Sequence, residues 1–202
     1  MKMKQLFLII ISIMTFMGET GMAQTAATGK VLIAYYSRRG NNYRNGEIVN
    51  LKVGNTEVVA GKIRALTGGD TFRIETVRPY PADYHETTQV AKREQSENAR
   101  PAIRGKVADM GDYDVIYLGY PNWWGTVPMA VMTFLESYDF SGKVIIPFCT
   151  HEGGGLGRSV RDIRKACPAA DVRQGLAIRG GDAAGSDKRV ADWVRQTRDD
   201  KQ

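Results

Sequence analysis

The chain has 202 residues, 43% of them hydrophobic and 25% charged, with 28 basic against 22 acidic side chains for a formal charge of +6. That length suits one domain with a full core and is short for two. The basic excess is modest and spread along the chain, with no basic run interleaved with aromatics, so nothing here points to nucleic-acid binding.

The first residues read as a leader. Lys2 and Lys4 give a basic start, Leu6 to Phe16 is almost unbroken apolar, and Gly21-Met22-Ala23 supplies small residues before Gln24. The reading is a signal peptide at 1–23, export to the periplasm, and a single domain over 24–202. The apolar run, about 11 residues, falls short of the ~20 of a membrane-spanning helix, so no stable membrane anchor is expected. Of the two cysteines, Cys149 closes a predicted strand and Cys167 the helix after it. Such a helix rises ~16 Å, whereas a disulfide needs Cα atoms within ~7 Å. Two buried free thiols are expected.

Residues 30–36 form a continuous β-prone run, as buried parallel strands do. After it come Ser37-Arg38-Arg39-Gly40-Asn41-Asn42, an interruption, and then Gly54-Asn55-Thr56 ahead of a helical stripe at Val59, Ile63 and Leu66. A glycine-bearing, hydroxyl-rich turn before a helix offers free N–H groups and a positive dipole end to a phosphate. Capping of the helix by Asn55 or Thr56 explains the same residues as well. Within the interruption, Asn45-Gly46 is a turn signal and Val49, Leu51 and Val53 alternate with polar residues, which predicts a β-hairpin on the rim of the phosphate loop.

Residues 71–77 alternate as an edge strand would, and 83–95 read as a weakly amphipathic helix with Asp83 as its N-cap. Residues 114–120 and 143–150 are central strands, and 172–178 a second edge. Helical stripes lie between and after them at Val127, Val131, Phe134 and Leu135, then at Leu156, Val160, Ile163 and Cys167, and finally at Val190, Trp193 and Val194. Strands alternating with helices argue for a parallel α/β three-layer sandwich, whose ligands sit beyond the carboxyl ends of the strands.

Two more loops fall at that pole. Pro121-Asn122-Trp123-Trp124-Gly125-Thr126 follows the third strand, and adjacent tryptophans cannot both point into a core, so at least one faces a flat ligand or covers the helix beneath. Thr150-His151-Glu152-Gly153-Gly154-Gly155 follows the fourth, where glycines permit close approach of a ligand to the backbone or simply a flexible loop. His151 either faces the ligand or bonds its own loop, and no catalytic residue is assigned. With two histidines and two separated cysteines there is no metal site to propose.

In order along the chain, Val-Leu-Ile-Ala-Tyr-Tyr-Ser, Gly-Asn-Thr, Arg-Pro-Tyr-Pro-Ala-Asp-Tyr, Gly-Tyr-Pro-Asn-Trp-Trp-Gly-Thr-Val-Pro-Met, Tyr-Asp-Phe-Ser-Gly-Lys and Pro-Phe-Cys-Thr-His-Glu-Gly-Gly-Gly-Leu-Gly resemble the flavodoxin-like family over about residues 30–179. The resemblance implies a five-stranded parallel sheet of order 2-1-3-4-5, with a hairpin inserted after the first strand, and FMN as cofactor. It places Ser37, Arg38, Gly54, Asn55 and Thr56 at the phosphate, Pro121, Asn122, Trp123, Trp124, Gly125 and Thr126 on one side of the isoalloxazine, and Thr150, His151, Gly153 and Gly154 on the other. The function implied is oxidoreduction or electron transfer through the flavin. The alternatives are a quinone or nitroaromatic reductase and a non-catalytic module for another phosphorylated planar ligand. A net-positive surface does not suit the acidic steering of typical electron-carrier flavodoxins. The redox donor and acceptor are unknown, and a homodimer is left open.

Overall fold

The computed structural model describes residues 29–199, and the leader expected at 1–23 lies outside them. The chain runs β1 (Val31–Tyr35), β2 (Gly40–Arg44), β3 (Glu47–Leu51), α1 (Asn55–Thr67), β4 (Asp70–Arg73), α2 (Tyr84–Ser96), β5 (Val115–Pro121), α3 (Met129–Glu136), β6 (Val144–His151), α4 (Ser159–Ala166), β7 (Asp171–Val172), β8 (Leu176–Arg179) and α5 (Asp187–Asp199). The main sheet has the order β4-β1-β5-β6-β7, with β8 also pairing β6, and every pairing in it is parallel. Taking β7 and β8 as two pieces of one strand, this is the expected 2-1-3-4-5 order. The separate antiparallel pair β2-β3 is the predicted hairpin.

The break in the last strand has a local cause. Ile145 turns its carbonyl toward that edge and accepts the Arg173 N–H at 2.9 Å. Two residues on, Pro147 faces the same way with no N–H to give. Gly175 passes so close that a Cβ there would lie 2.8 Å from the Pro147 carbonyl oxygen, and pairing resumes at Leu176. The opposite edge also ends early: β4 stops at Arg73, and the expected remainder of that strand survives only as a bridge from Thr76 to Ile103.

Side chains alternate across the sheet into two cores. Leu32, Ala34, Ile116 and Leu118 pack on one face with Val131 and Phe134 of α3 and Ile163 of α4. Ile33, Tyr117, Ile146 and Phe148 pack on the other with Val59 and Ile63 of α1 and Val190, Trp193 and Val194 of α5. By contrast α2 buries only Thr87 and Ala91, in keeping with its weak stripe. Its start is well specified, because the Asp83 carboxylate accepts the Glu86 N–H at 2.9 Å. Cys149 and Cys167 are free and buried, as expected. Among the described residues no helix is long and apolar enough to cross a membrane.

Candidate functional site

Strand order reverses between β1 and β5, and the loops leaving their carboxyl ends meet there with the loop leaving β6. Such a switch point opens a crevice between diverging connections. Ser37, Arg38, Asn55, Thr56, Pro121, Asn122, Trp123, Thr150 and His151 line one cavity of about 120 Å³ in it. Arg38, Asn122 and Trp123 continue, with Trp124, into an adjoining cleft of about 360 Å³ along α2. Together the two spaces fall in the range of small-molecule sites, about 300–1,000 Å³.

At the phosphate end, α1 begins without a side-chain cap, since its N-cap position is Gly54. Neither Asn55 nor Thr56 caps the helix. Instead Ser37 reaches across from the end of β1 and accepts the Glu57 N–H at 3.1 Å. The first helical N–H groups have no partner within a helix. Here Ser37 satisfies one, and those of Asn55 and Thr56 have no protein acceptor among the described residues. Gly54 must be glycine for this contact, because a Cβ would lie 2.3 Å from Ser37 Oγ and 2.5 Å from the Arg38 carbonyl oxygen. The buried hydroxyls of Thr56 and Thr150 meet at 2.8 Å, joining the first and third loops. The set suits a phosphate: free amides at a helix N-terminus, with hydroxyls beside them.

Arg38 lines both spaces, but its guanidinium is engaged elsewhere. It donates to the carbonyls of Asn41, Pro81 (2.8 Å) and Ala82 (2.7 Å), tying the approach to α2 onto the β1 loop. Its role is as much strut as phosphate ligand.

At the ring end, Trp123 is half-buried and packs edge-on against Tyr36 (5.3 Å between centroids) and Tyr80 (5.1 Å), whereas Trp124 is 47% exposed. The pair thus divides as adjacent side chains must. Trp124 holds φ +54° and Gly125 φ +81°, and Trp123 and Thr126 exchange main-chain hydrogen bonds around them at 2.9 and 3.2 Å. This is a two-residue turn with both central residues in the left-handed region. Asn122 joins the second and third loops, donating to the Gly155 carbonyl at 2.8 Å and accepting the Gly125 N–H at 2.9 Å.

Five expected residues do not line the two spaces, Gly54 at the start of α1 being the first. Gly125 forms the turn, and Thr126 is buried behind it with its hydroxyl on Asp162 at 2.6 Å. Gly153 is exposed and donates its N–H to His151 Nδ1 at 2.9 Å, and Gly154 packs against Asn122. His151 therefore bonds its own loop. Burial, with Arg179 and Arg189 nearby, lowers its pKa, and the accepted N–H likewise favours neutral imidazole carrying its proton on Nε2.

Sequence reasoning missed Asn42, Tyr43, Tyr84 and Gly180 as lining residues, and it placed Glu152 in a ligand loop without a role. Tyr43 of the hairpin stacks on Tyr84, the first residue of α2, at 6.1 Å and 27°. Glu152 Oε2 accepts the Asn45 N–H at 3.1 Å and lies 3.8 Å from Arg179 Nε, so it holds the hairpin tip over the rim. Signals existed for two of these: Tyr84 directly follows the predicted cap Asp83, and Gly180 directly follows the last strand.

The architecture and site define a doubly wound α/β domain that binds its ligand at the switch point of the sheet. A flavodoxin family model matches residues 30–197, and the chain belongs to that family. Among solved structures it is similar to a provisionally assigned flavoprotein from Bacteroides eggerthii, at 29% identity over 82% of this chain and 96% of that one, with a TM-score of 0.67. Another such flavoprotein, from Bacteroides uniformis, has 27% identity over 83% and 98% of the two chains and a TM-score of 0.66. A flavoprotein from Lactobacillus acidophilus in complex with FMN shares the fold at 23% identity over 82% and 98%, with a TM-score of 0.59. No curated protein matches in sequence.

Proposed function

We propose that this domain binds FMN and acts as a redox flavoprotein. The observation that carries the reading is the uncapped start of α1, whose free Asn55 and Thr56 amides stand beside Ser37 in a cavity that continues to Trp123. Family membership and the FMN complex of the Lactobacillus relative support the same cofactor. The residues fit its parts. Ser37, Thr56 and the α1 amides would hold the phosphate through neutral donors, and Trp123, Asn122 and the loop after β6 would flank the ring. Bound FMN supplies reversible one- and two-electron chemistry. The protein contributes orientation, an apolar wall and neutral donors, and no protein nucleophile is required.

The test is direct: purified protein is expected to be yellow, or to shift the FMN spectrum and quench its fluorescence on titration. Absence of both effects would reject the flavin reading.

One observation favours a small planar acceptor, such as a quinone or nitroaromatic, over a protein redox partner. Trp124 is held exposed, in a backbone conformation that bulky residues avoid, at the mouth of the cleft along α2. Strain of that kind persists where function requires it. Fast, saturable reoxidation of the chemically reduced, FMN-loaded protein by menadione, one quinone reduced per flavin reoxidised, supports this reading, whereas FMN binding without reoxidation by any such acceptor supports a carrier or a binding module. We also propose that residues 1–23 direct export. A mature protein beginning at Gln24 in the periplasmic fraction is the expected result, and an intact Met1 in the cytoplasm refutes it.

A further inference from the structure

A second cavity, of about 510 Å³, lies beyond the carboxyl ends of β1 and β4 and meets the proposed flavin site at Ser37 and Arg38, which line both. Four arginines line it, Arg38, Arg39, Arg73 and Arg104, against one carboxylate, Glu75. How those arginines are held decides what the cavity can take. Arg104 donates only to the carbonyls of Thr76 (3.3 Å) and Val77 (2.9 Å), and Arg38 to those of Asn41, Pro81 and Ala82. Carbonyls orient a guanidinium without neutralising it. Arg39 has no partner among the described residues, and only Arg73 is matched, by Glu57 and Glu75 at 2.7 and 2.8 Å. The cavity therefore keeps a cationic excess whose direction is set by backbone.

Its floor adds a second, independent feature. Tyr36 lines the cavity, is 5% exposed, and makes edge-on contacts with Tyr80 and Trp123. Its hydroxyl has no hydrogen-bond partner among the described residues. The hydroxyl is not among the polar atoms sealed from solvent, so it opens into the cavity beneath the arginines and can donate to an acceptor that enters there. Nearby Tyr80 differs, since it donates to Glu94 at 2.7 Å.

We propose that this cavity is a second anion site, separate from the start of α1, that binds a compact organic polyanion of the phosphate-ester class through the Tyr36 hydroxyl and the guanidinium groups of Arg38, Arg39 and Arg104. Guanidinium forks match phosphate oxygens in pairs. The Tyr36–Trp123 contact places the ligand one aromatic ring from the flavin-site wall, so occupancy changes tryptophan emission.

The experiment titrates FMN-saturated protein with pyrophosphate by calorimetry and tryptophan fluorescence, with sodium chloride at matched ionic strength as control. One saturable site per chain is expected. A hydrogen bond to a charged group is worth about 1.5–3 kcal/mol, so Y36F and R104Q should each weaken binding about tenfold or more. T56V, which removes a hydroxyl that lines only the α1 site, should leave it unchanged. Heat no greater than with chloride, or wild-type affinity in both Y36F and R104Q, overturns the proposal. So does competition between pyrophosphate and FMN. Should FMN itself fail to bind, the same titration of apoprotein still decides: sensitivity to R104Q but not T56V upholds the second site, and the reverse refutes it.

Discussion

Replacing Trp124 with asparagine separates a ligand-facing tryptophan from a packing one. The left-handed conformation at Trp124 and Gly125 is that of a type I′ turn, for which Asn-Gly is the preferred pair. Relief of the strain carried by a bulky residue there is worth about 1–2 kcal/mol. Against this stands lost burial. Trp124 is 47% exposed, so about 100 Å² of apolar surface is forfeited, at most about 2.5 kcal/mol at ~25 cal/mol/Å². The Nε1–H bond to the Thr88 carbonyl, 2.9 Å long, adds about 1 kcal/mol. The Lys92 ammonium, 5.1 Å from the ring centroid, adds about 0.5. The net cost is about 2 kcal/mol, below the roughly 3–5 of truncating a core tryptophan. Urea unfolding should give that value, FMN affinity should stay within about threefold, and the menadione concentration that half-saturates reoxidation of the reduced protein should rise about two- to tenfold, the loss of one aromatic stacking contact. A stability loss of about 4 kcal/mol with unchanged menadione kinetics would show that Trp124 serves packing.

G54A places a methyl 2.3 Å from Ser37 Oγ. It should cost about 1–3 kcal/mol of stability and weaken FMN binding more than about tenfold, and undiminished affinity in a fluorescence titration would move the phosphate away from α1. His151 gives a pH signature. Burial lowers its folded pKa, so the unfolded chain takes up the proton first. Its stabilising contribution is full above the unfolded value of about 6.5 and is lost as pH falls toward the lower folded value. Melting temperatures measured from about pH 8 down to about pH 5 should therefore fall less steeply in H151N than in wild type across that window, and parallel curves refute the assignment. Burial pushes the Cys149 thiol up to about 12 and the Cys167 thiol up to about 11. Both should resist a thiol-specific disulfide reagent until denaturant is added, with no change in melting under reductant. Reaction of either in the folded protein contradicts their placement.

The sheet was legible because both of its core faces come from long β-branched runs. Five strands and the inserted hairpin follow from residues such as 30–36, 143–150 and Asn45-Gly46, whereas the strand order came with the family resemblance. What the sequence did not reveal depends on pairing geometry. Nothing in residues 172–178 announces a break whose cause, Pro147, lies in the neighbouring strand. In the site, residue types were a good guide to who lines the cavity, since Ser37, Asn55, Thr56, Asn122, Trp123, Thr150 and His151 all do. They were a poor guide to what each one bonds. Arg38 looked like a phosphate ligand because a cation suits an anion, yet the Asn41 carbonyl of the hairpin and the Pro81 and Ala82 carbonyls of the approach to α2 engage its guanidinium. Glu152 had no evident task until the hairpin tip arrived above it.

The hairpin itself explains how an insertion inside the phosphate loop leaves the loop intact. The close fit of Gly54 against Ser37 and the Arg38 carbonyl means that the chain departs and returns at one place. To the turn between β1 and α1 the excursion is a closed side loop, and Ser37 still reaches Glu57 as it would without it. Closing a loop of this length costs little more than closing a shorter one, since the penalty grows only with the logarithm of length. The free end of the hairpin is then fixed at two points, Tyr43 on Tyr84 and Asn45 on Glu152. Those contacts draw α2, otherwise thinly packed, and the loop after β6 onto the same rim. An element that adds nothing to the main sheet thus supplies the wall joining the phosphate end of the site to the cleft where Trp124 waits.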